Sequence, residues 1–174
     1  MEAQVLVTYA SKMGGTAEIA EAIGREIRVH GFEVDVLPAR AVHTLNSYEY
    51  VVLGSAIYAG HWRRDAMRLL RHYRKELTMR QVWLFQSGLS VTGTGPVKDP
   101  TPVDVHDLAK IIGAGDPITF PGRLTRATAR GLVPRLMARQ RTAGAFRAWE
   151  RIRRWAADVA TQMTSPARHS SIHR

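Results

Sequence analysis

The sequence predicts an α/β domain, a doubly wound five-stranded parallel sheet with helices on both faces. Short runs rich in β-branched residues alternate along the chain with helical patterns. Two of the runs, Tyr50-Val-Val-Leu-Gly54 and Gln81-Val-Trp-Leu-Phe-Gln86, are largely apolar, as in strands covered on both faces. Several runs open into loops of small and hydroxyl residues, and ligands of open α/β sheets bind outside the carboxyl ends of the strands.

The first unit is Val5-Leu-Val-Thr-Tyr-Ala-Ser-Lys-Met-Gly-Gly-Thr-Ala-Glu-Ile-Ala20, which reads as strand, tight loop and helix. Ala17, Ile19, Ala20, Ile23 and Ile27 recur at helical spacing as far as His30, and Gly31 follows as a stop. Glu33-Val-Asp-Val-Leu37 alternates as a strand and ends at Pro38. Residues Ala39 to Tyr48 read as a short helix or loop, and Tyr50 to Gly54 as a buried strand that runs into the loop Ser55 to Trp62. Arg63 to Leu77 reads as one amphipathic helix with Ala66, Leu69, Leu70, Tyr73 and Leu77 on one face. After the strand Gln81 to Gln86 comes the loop Ser87-Gly-Leu-Ser-Val-Thr-Gly-Thr-Gly-Pro96, far richer in hydrogen-bonding groups than a connector needs. A helix over about Val103 to Ile112, closed by Gly113, then precedes a strand within Asp116 to Gly122. Arg123 to Ala143 reads as a basic insertion, Phe146 to Met163 as the last helix, and Thr164 to Arg174 as a disordered tail. The domain is thus placed at residues 1–163.

The first loop suits an anion. Ser11, Thr16 and the unpaired N–H groups of a helix start can donate to a phosphate, the helix dipole favours negative charge there, and Gly14 and Gly15 let the backbone bend around it. The spacing matches neither G-x-x-x-x-G-K-[ST] nor G-x-G-x-x-G, which leaves a mononucleotide loop. A strand, a glycine turn and an N-capping Thr also occur in α/β units without a ligand, so the other loops decide.

Composition narrows the alternatives. A chain of 174 residues that is 45% hydrophobic can bury a core, and its lack of Cys excludes disulfides and thiolate chemistry. Met1-Glu-Ala-Gln4 has no basic run and no apolar stretch approaches a membrane span, so a cytoplasmic protein is expected. Residues 1–120 hold 13 Lys and Arg against 13 acids, whereas residues 121–174 hold 12 Arg against Glu150 and Asp158. The net charge of +10 therefore belongs to the last third, which suggests an anionic partner surface. One expected form of that contact is peripheral, on the inner face of a membrane, through a helix starting near Pro134 with Leu132, Val133, Leu136 and Met137 beside Arg135 and Arg139. A solvated Arg-rich face that docks on its own sheet is the plainer alternative. No helix, aromatic or zinc-finger motif for reading nucleic acid is present. The histidines lack metal-ligand spacing outside the H-x-x-x-H of His169 and His173, and G-x-S-x-G is absent. No metal site is expected.

Three loops at strand ends, Ala10 to Thr16, Ser55 to Trp62 and Ser87 to Gly95, stand together in the way flavodoxins hold FMN. The chain resembles the flavodoxin superfamily over residues 3 to 163. Within it, the chain is most similar to the flavodoxin-type menaquinone-dependent protoporphyrinogen IX dehydrogenases. Their first loop reads S-T-R-D-G-Q-T where this chain has Ala10-Ser-Lys-Met-Gly-Gly-Thr16, and their G-H-F stands where this chain has Gly60-His-Trp62. Phe120-Pro-Gly-Arg-Leu124 and Phe146-Arg-Ala-Trp149 match that family's A-G-A-L and D-W-E. Met13 replaces an Asp, and Tyr58-Ala59 replaces Arg-Tyr.

The resemblance implies an FMN oxidoreductase that passes electrons from a reduced substrate to a quinone or another redox partner, with an electron carrier lacking substrate chemistry as the alternative. It implies that Ser11, Lys12, Met13, Gly14, Gly15 and Thr16 hold the phosphate. It places Ser55, Ala56, Ile57, Tyr58, Ala59 and Gly60, with Ser87, Gly88, Leu89, Ser90 and Thr92, around the flavin ring. His61 is the catalytic candidate, facing the flavin edge or a substrate carboxylate. A single phosphate loop without an adenine-binding half points to FMN over FAD, and assembly into an oligomer stays open.

Overall fold

The computed structural model describes residues 4–88, 101–122 and 135–165, and within the last segment the side chains of residues 135–145 and 147 are not described. The strands are β1 (Gln4–Ala10), β2 (Glu33–Pro38), β3 (Tyr50–Tyr58), β4 (His61–Trp62), β5 (Gln81–Gly88) and β6 (Ile118–Pro121). The helices are α1 (Gly15–Val29), α2 (Arg64–His72), α3 (Arg74–Thr78), α4 (Val103–Ile112) and α5 (Arg135–Thr164), with a 3-10 turn at Ala39–Ala41. The main sheet runs β2-β1-β3-β5-β6, all parallel, and β4 folds back antiparallel on β3. The predicted doubly wound parallel sheet is therefore present, with one short strand added.

Alternation along the central strands builds two cores. Leu6, Val51, Leu53, Val82 and Leu84 face one side, where Leu69, Leu70 and Leu77 of α2 and α3 and Val105 and Ile112 of α4 cover them. Val5, Val7, Val52, Phe85 and Phe120 face the other, under Ile19, Ile23 and Ile27 of α1 and Ile152 and Val159 of α5. Each large apolar side chain buried in this way contributes about 1.5–3 kcal/mol. With both faces covered, the carboxyl ends of the strands are left open.

Four elements depart from the sequence reading. The segment from Arg63 to Leu77 is two helices, because the chain leaves helical geometry at Tyr73, whose ring packs edge-on against His72. Ser55 to Tyr58 extend β3 instead of lying in a loop, since Ser55 pairs with Ala10 of β1 and Gln86 of β5, Ala56 with Ser87 of β5, and Ile57 and Tyr58 with β4. Helix α5 begins at Arg135, inside the stretch read as a basic insertion ahead of a helix at Phe146, and continues unbroken to Thr164. No Thr caps α1: Gly14 occupies the N-cap position in the left-handed region, and Thr16 lies in the first turn. Leu132, Val133 and the rest of residues 123–134, and the tail from residue 166, lie outside the described residues. Among the described residues no helix is long and apolar enough to cross a membrane.

Two contacts generate predictions. A Cβ on Gly54, in the middle of β3, would overlap the fully buried ring of Phe85. Gly54→Ala is expected to cost about 1–3 kcal/mol, read as a fall in thermal midpoint of a few degrees. The Tyr48 hydroxyl donates to Asp35 at 2.7 Å and ties the chain ahead of β3 to β2. Burial first, then the hydrogen bond to Asp35 and its negative charge, push the Tyr48 phenol from 10 up to about 12. The folded state then keeps a proton that the unfolded chain has lost, so this contribution is full below pH 10 and disappears as pH rises to 12. Tyr48→Phe is expected to show a shallower loss of stability across that window in paired denaturant titrations.

Candidate functional site

The sheet order reverses at β1, which has β2 on one side and β3 on the other. In open α/β sheets the crevice at such a reversal is the binding position. Here it lies between the loop leaving β1 and the end of β3, beyond the last pair of the two strands, Ala10 with Ser55.

The first loop is closed by its own residues. The Ser11 hydroxyl oxygen accepts the Gly14 N–H at 2.9 Å, and Gly14 turns the chain into α1 with φ +86, a conformation side-chain-bearing residues rarely adopt. Gly15 is needed for a different reason. A Cβ there would overlap the Gly122 carbonyl oxygen at the end of β6, so the loop lies directly on backbone. Gly122 in turn donates its N–H to the Gly88 carbonyl at 2.7 Å. The buried Thr16 and Ser87 hydroxyls share a hydrogen bond of 2.7 Å, fastening the first turn of α1 to the end of β5. In that first turn the N–H groups of Gly15, Thr16 and Ala17 have no carbonyl within the helix to bond, and they carry the positive end of its dipole.

The second wall is a hairpin. β3 ends at Tyr58, turns through Ala59 and Gly60 with φ of 50 and 77, and returns so that Tyr58 pairs with His61 and Ile57 with Trp62. Two central residues with positive φ make the turn type whose twist suits a two-residue hairpin. Ala59 holds that conformation against its own Cβ. The buried Trp62 indole donates to the Gln86 side-chain oxygen at 3.0 Å, and the Gln86 amide donates to the Thr119 hydroxyl at 2.9 Å. This chain of bonds anchors the hairpin across β5 to β6. Ser55 is turned inward, accepting the Arg63 N–H at 2.9 Å and donating to the Ala56 carbonyl at 3.0 Å.

What remains outside is an exposed aromatic beside a cation. Tyr58 is 53% exposed, and the Lys12 ammonium lies 4.2 Å from the centre of its ring, a cation–π contact joining the two walls. Met13 is 77% exposed on the loop rim, and His61 is exposed at the hairpin. An open groove of about 650 Å³ lies between Ile57, Gly60 and His61 on one side and Pro102, Val103 and Asp107 of α4 and its approach on the other.

The structure thus brings Ser11, Lys12, Met13, Gly14, Gly15 and Thr16 together with Tyr58, Ala59, Gly60 and His61. It turns the hydroxyls of Thr16, Ser55 and Ser87 into internal bonds. Leu89, Ser90 and Thr92 lie outside the described residues. The sequence reading gives Gln86 and Gly122 no part in the site. A Gln closing an otherwise apolar strand is a visible signal for the first; the second stands in the Phe120-Pro-Gly-Arg-Leu124 match, which names no role for it. Among the described residues no group of three His, Cys, Asp or Glu is gathered to hold a metal ion.

These features define an open, doubly wound α/β domain with an anion-suited helix start at its topological reversal. The chain belongs to the flavodoxin family: residues 6–110 match the model described as flavodoxin domain. Its fold is similar to a flavodoxin from the domain Archaea, at 18% identity and a TM-score of 0.59 over 93% of this chain and 99% of that one. It is also similar to oxidised flavodoxin 1 from Bacillus cereus, at 16% identity and 0.62 over 94% and 100%. A Fusobacterium nucleatum flavodoxin mutant bound to flavin mononucleotide aligns at 16% identity and 0.50 over 68% of each chain. No curated protein matches the chain.

Ala59 supplies the prediction from this geometry. A left-handed conformation costs a non-glycine residue about 1–2 kcal/mol, of which the extra freedom of unfolded Gly takes back about 0.4–1. Ala59→Gly is therefore expected to raise the thermal midpoint by one to a few degrees, and Ala59→Val to lower it. An unchanged midpoint in both variants would mean that the turn bears no strain.

Proposed function

We propose that this chain binds FMN at the reversal of its sheet and works as an oxidoreductase passing electrons from a reduced substrate to a quinone. The observation that carries the reading is the juxtaposition of the Ser11–Thr16 turn with the exposed ring of Tyr58, joined by Lys12. The donor set fits a phosphate monoester: first-turn N–H groups, a hydroxyl at Ser11 whose proton is not spent on Gly14, and a nearby ammonium. The fit extends to the ring, because an exposed aromatic face suits a flat, electron-poor heterocycle. FMN would supply the two-electron chemistry that no side chain of this protein has.

The chain's own residues would bind and orient. Ser11 and the N–H groups of Gly15 to Ala17 would hold the phosphate, and Lys12 would offset its charge. Tyr58 would cover one face of the ring, held at its height by the Trp62–Gln86–Thr119 bonds. His61, exposed beside the groove, would meet a polar edge or carboxylate of the substrate. Protoporphyrinogen as that substrate, and menaquinone as the acceptor, follow from the motif resemblance at Gly60-His-Trp62 and the first loop. The Arg-rich end, residues 121–174, supports a membrane surface as the place where a quinone is met.

A carrier without substrate chemistry is the second reading. What favours it is the coverage of two whole flavodoxins, 99% and 100% of their lengths, by this chain.

The cofactor proposal is checked by the mass of the flavin released on heating and by titration of apoprotein with FMN. FMN and not FAD is expected, with Ser11→Ala weakening it by about 1.5–3 kcal/mol, roughly tenfold or more, through loss of a hydrogen bond to a charged group. FAD in the supernatant, or no affinity for added FMN, would overturn it. Turnover of protoporphyrinogen with a quinone would then separate the enzyme from the carrier.

A further inference from the structure

Helix α2 leaves the hairpin that carries Tyr58 and His61 and runs back along the flank of the sheet. Its apolar residues Ala66, Met67, Leu69 and Leu70 are all buried against the strands. The opposite face is exposed and cationic. Arg64, Arg68 and Arg71 follow one another at helical spacing on one stripe, with His72 on its flank and Arg74 and Lys75 continuing into α3. At 1.5 Å per residue α2 carries the stripe about 10 Å from Arg64 to Arg71, and Arg74 and Lys75 extend it past the break at Tyr73. Residues 61–80 hold seven Lys and Arg against two acids, Asp65 and Glu76, whereas the rest of residues 1–120 holds six against eleven. The neutral total of that part of the chain conceals a local excess. Arg80 is spent on the carbonyls of Tyr48, Leu45 and Glu76. Of the stripe, Arg71 reaches Asp104 at 3.8 Å, a distance that leaves both largely solvated.

We propose that the α2 ridge is the docking surface for an acidic protein redox partner. This rests on the flavin reading above, in its form as a carrier, and names the partner of that same site. Three observations select this occupant. The length of the stripe exceeds what one small anion fills. Its upper end, Arg64, adjoins His61 at the rim where the flavin edge would lie, so a partner seated on it is brought within reach of the redox centre. A helix bound to a lipid surface presents apolar residues outward, and α2 presents none, since every large apolar residue it has faces the core. Charge on such a rim acts through complementarity and steering, with strong dependence on salt.

The test uses the full chain, as apoprotein and loaded with FMN, and a fluorescently labelled acidic plant-type ferredoxin as probe, with basic cytochrome c as its opposite. Binding is followed by anisotropy at low and high salt for three proteins. They are the unaltered chain, the ridge variant Arg64→Gln, Arg68→Gln, Arg71→Gln, and a charge-matched control, Arg25→Gln, Arg153→Gln, Arg154→Gln, on the helices of the other face. All six positions are exposed, so both variants are expected to melt with the unaltered chain. Ferredoxin should bind the unaltered chain and the control alike, weaken tenfold or more on the ridge variant, and weaken on all three with added salt; cytochrome c should not bind. Equal losses in the two variants would make the effect one of total charge and overturn the proposal. The same three proteins are sedimented with anionic vesicles; loss of vesicle binding in the ridge variant with ferredoxin binding unchanged would also overturn it and assign the stripe to lipid. Failure of the apoprotein to take up FMN would sink the flavin reading, while the anisotropy comparison still decides the ridge.

Discussion

A parallel sheet buried on both faces determines most of what this molecule can do. Val5, Leu6 and Val7, or Val51, Val52 and Leu53, alternate into two separate cores, and each core needs its own layer of helices. The helices take up the flanks, and the loops that bind ligands are confined to the rim where the strands end. The reversal of strand order at β1 then opens one gap in that rim, between the first loop and the hairpin after β3.

The rim is held together by backbone contact. Gly15 lies on the Gly122 carbonyl, and Gly122 bonds Gly88, so the ends of β5 and β6 support the loop from β1 without side chains between them. The Thr16–Ser87 bond closes the same contact with two hydroxyls, and each would be left unsatisfied in a buried place without the other. This arrangement keeps the first-turn N–H groups aimed outward while the polar groups beneath them are consumed. The hairpin follows the same rule, with Trp62, Gln86 and Thr119 bonded inside and Tyr58 and His61 left outside. The working surface and its support thus come from adjacent residues of one strand end.

The alternation of elements was legible in the sequence because buried strands leave an apolar run and helices a 3.6-residue period. Gly14 and Gly15 were legible as a pair, but not their division of labour, since a left-handed turn and a close approach to Gly122 look alike in one chain. In the sequence Thr16 and Ser87 look like groups for a ligand because a hydroxyl in a loop has no visible partner until a residue 71 positions away is set beside it. The end of the helix at His72 was hidden for the opposite reason: the apolar spacing through Tyr73 and Leu77 continues across the break, so periodicity joins what the backbone separates. The extension of β3 to Tyr58 was masked by small and aromatic residues that serve a strand end and a loop equally.

Charge was the property for which totals misled most. Thirteen cations against thirteen acids over residues 1–120 cancel on paper, yet a Debye length of about 8 Å at physiological salt means that charges on opposite faces of a domain do not cancel for an approaching partner. The sheet separates much of the charge: α2 and α3 collect cations on the flank beside the hairpin, where, among the described residues, Asp104 of α4 pairs with Arg71 alone, while Glu18, Glu21 and Glu26 lie on α1 over the other face. The chain therefore presents a signed surface next to its rim even before the Arg-rich last third is counted. For a protein whose anion-suited loop and exposed Tyr58 lie on that rim, the sign selects partners more strongly than the fold, because the same fold tolerates either sign on its helices.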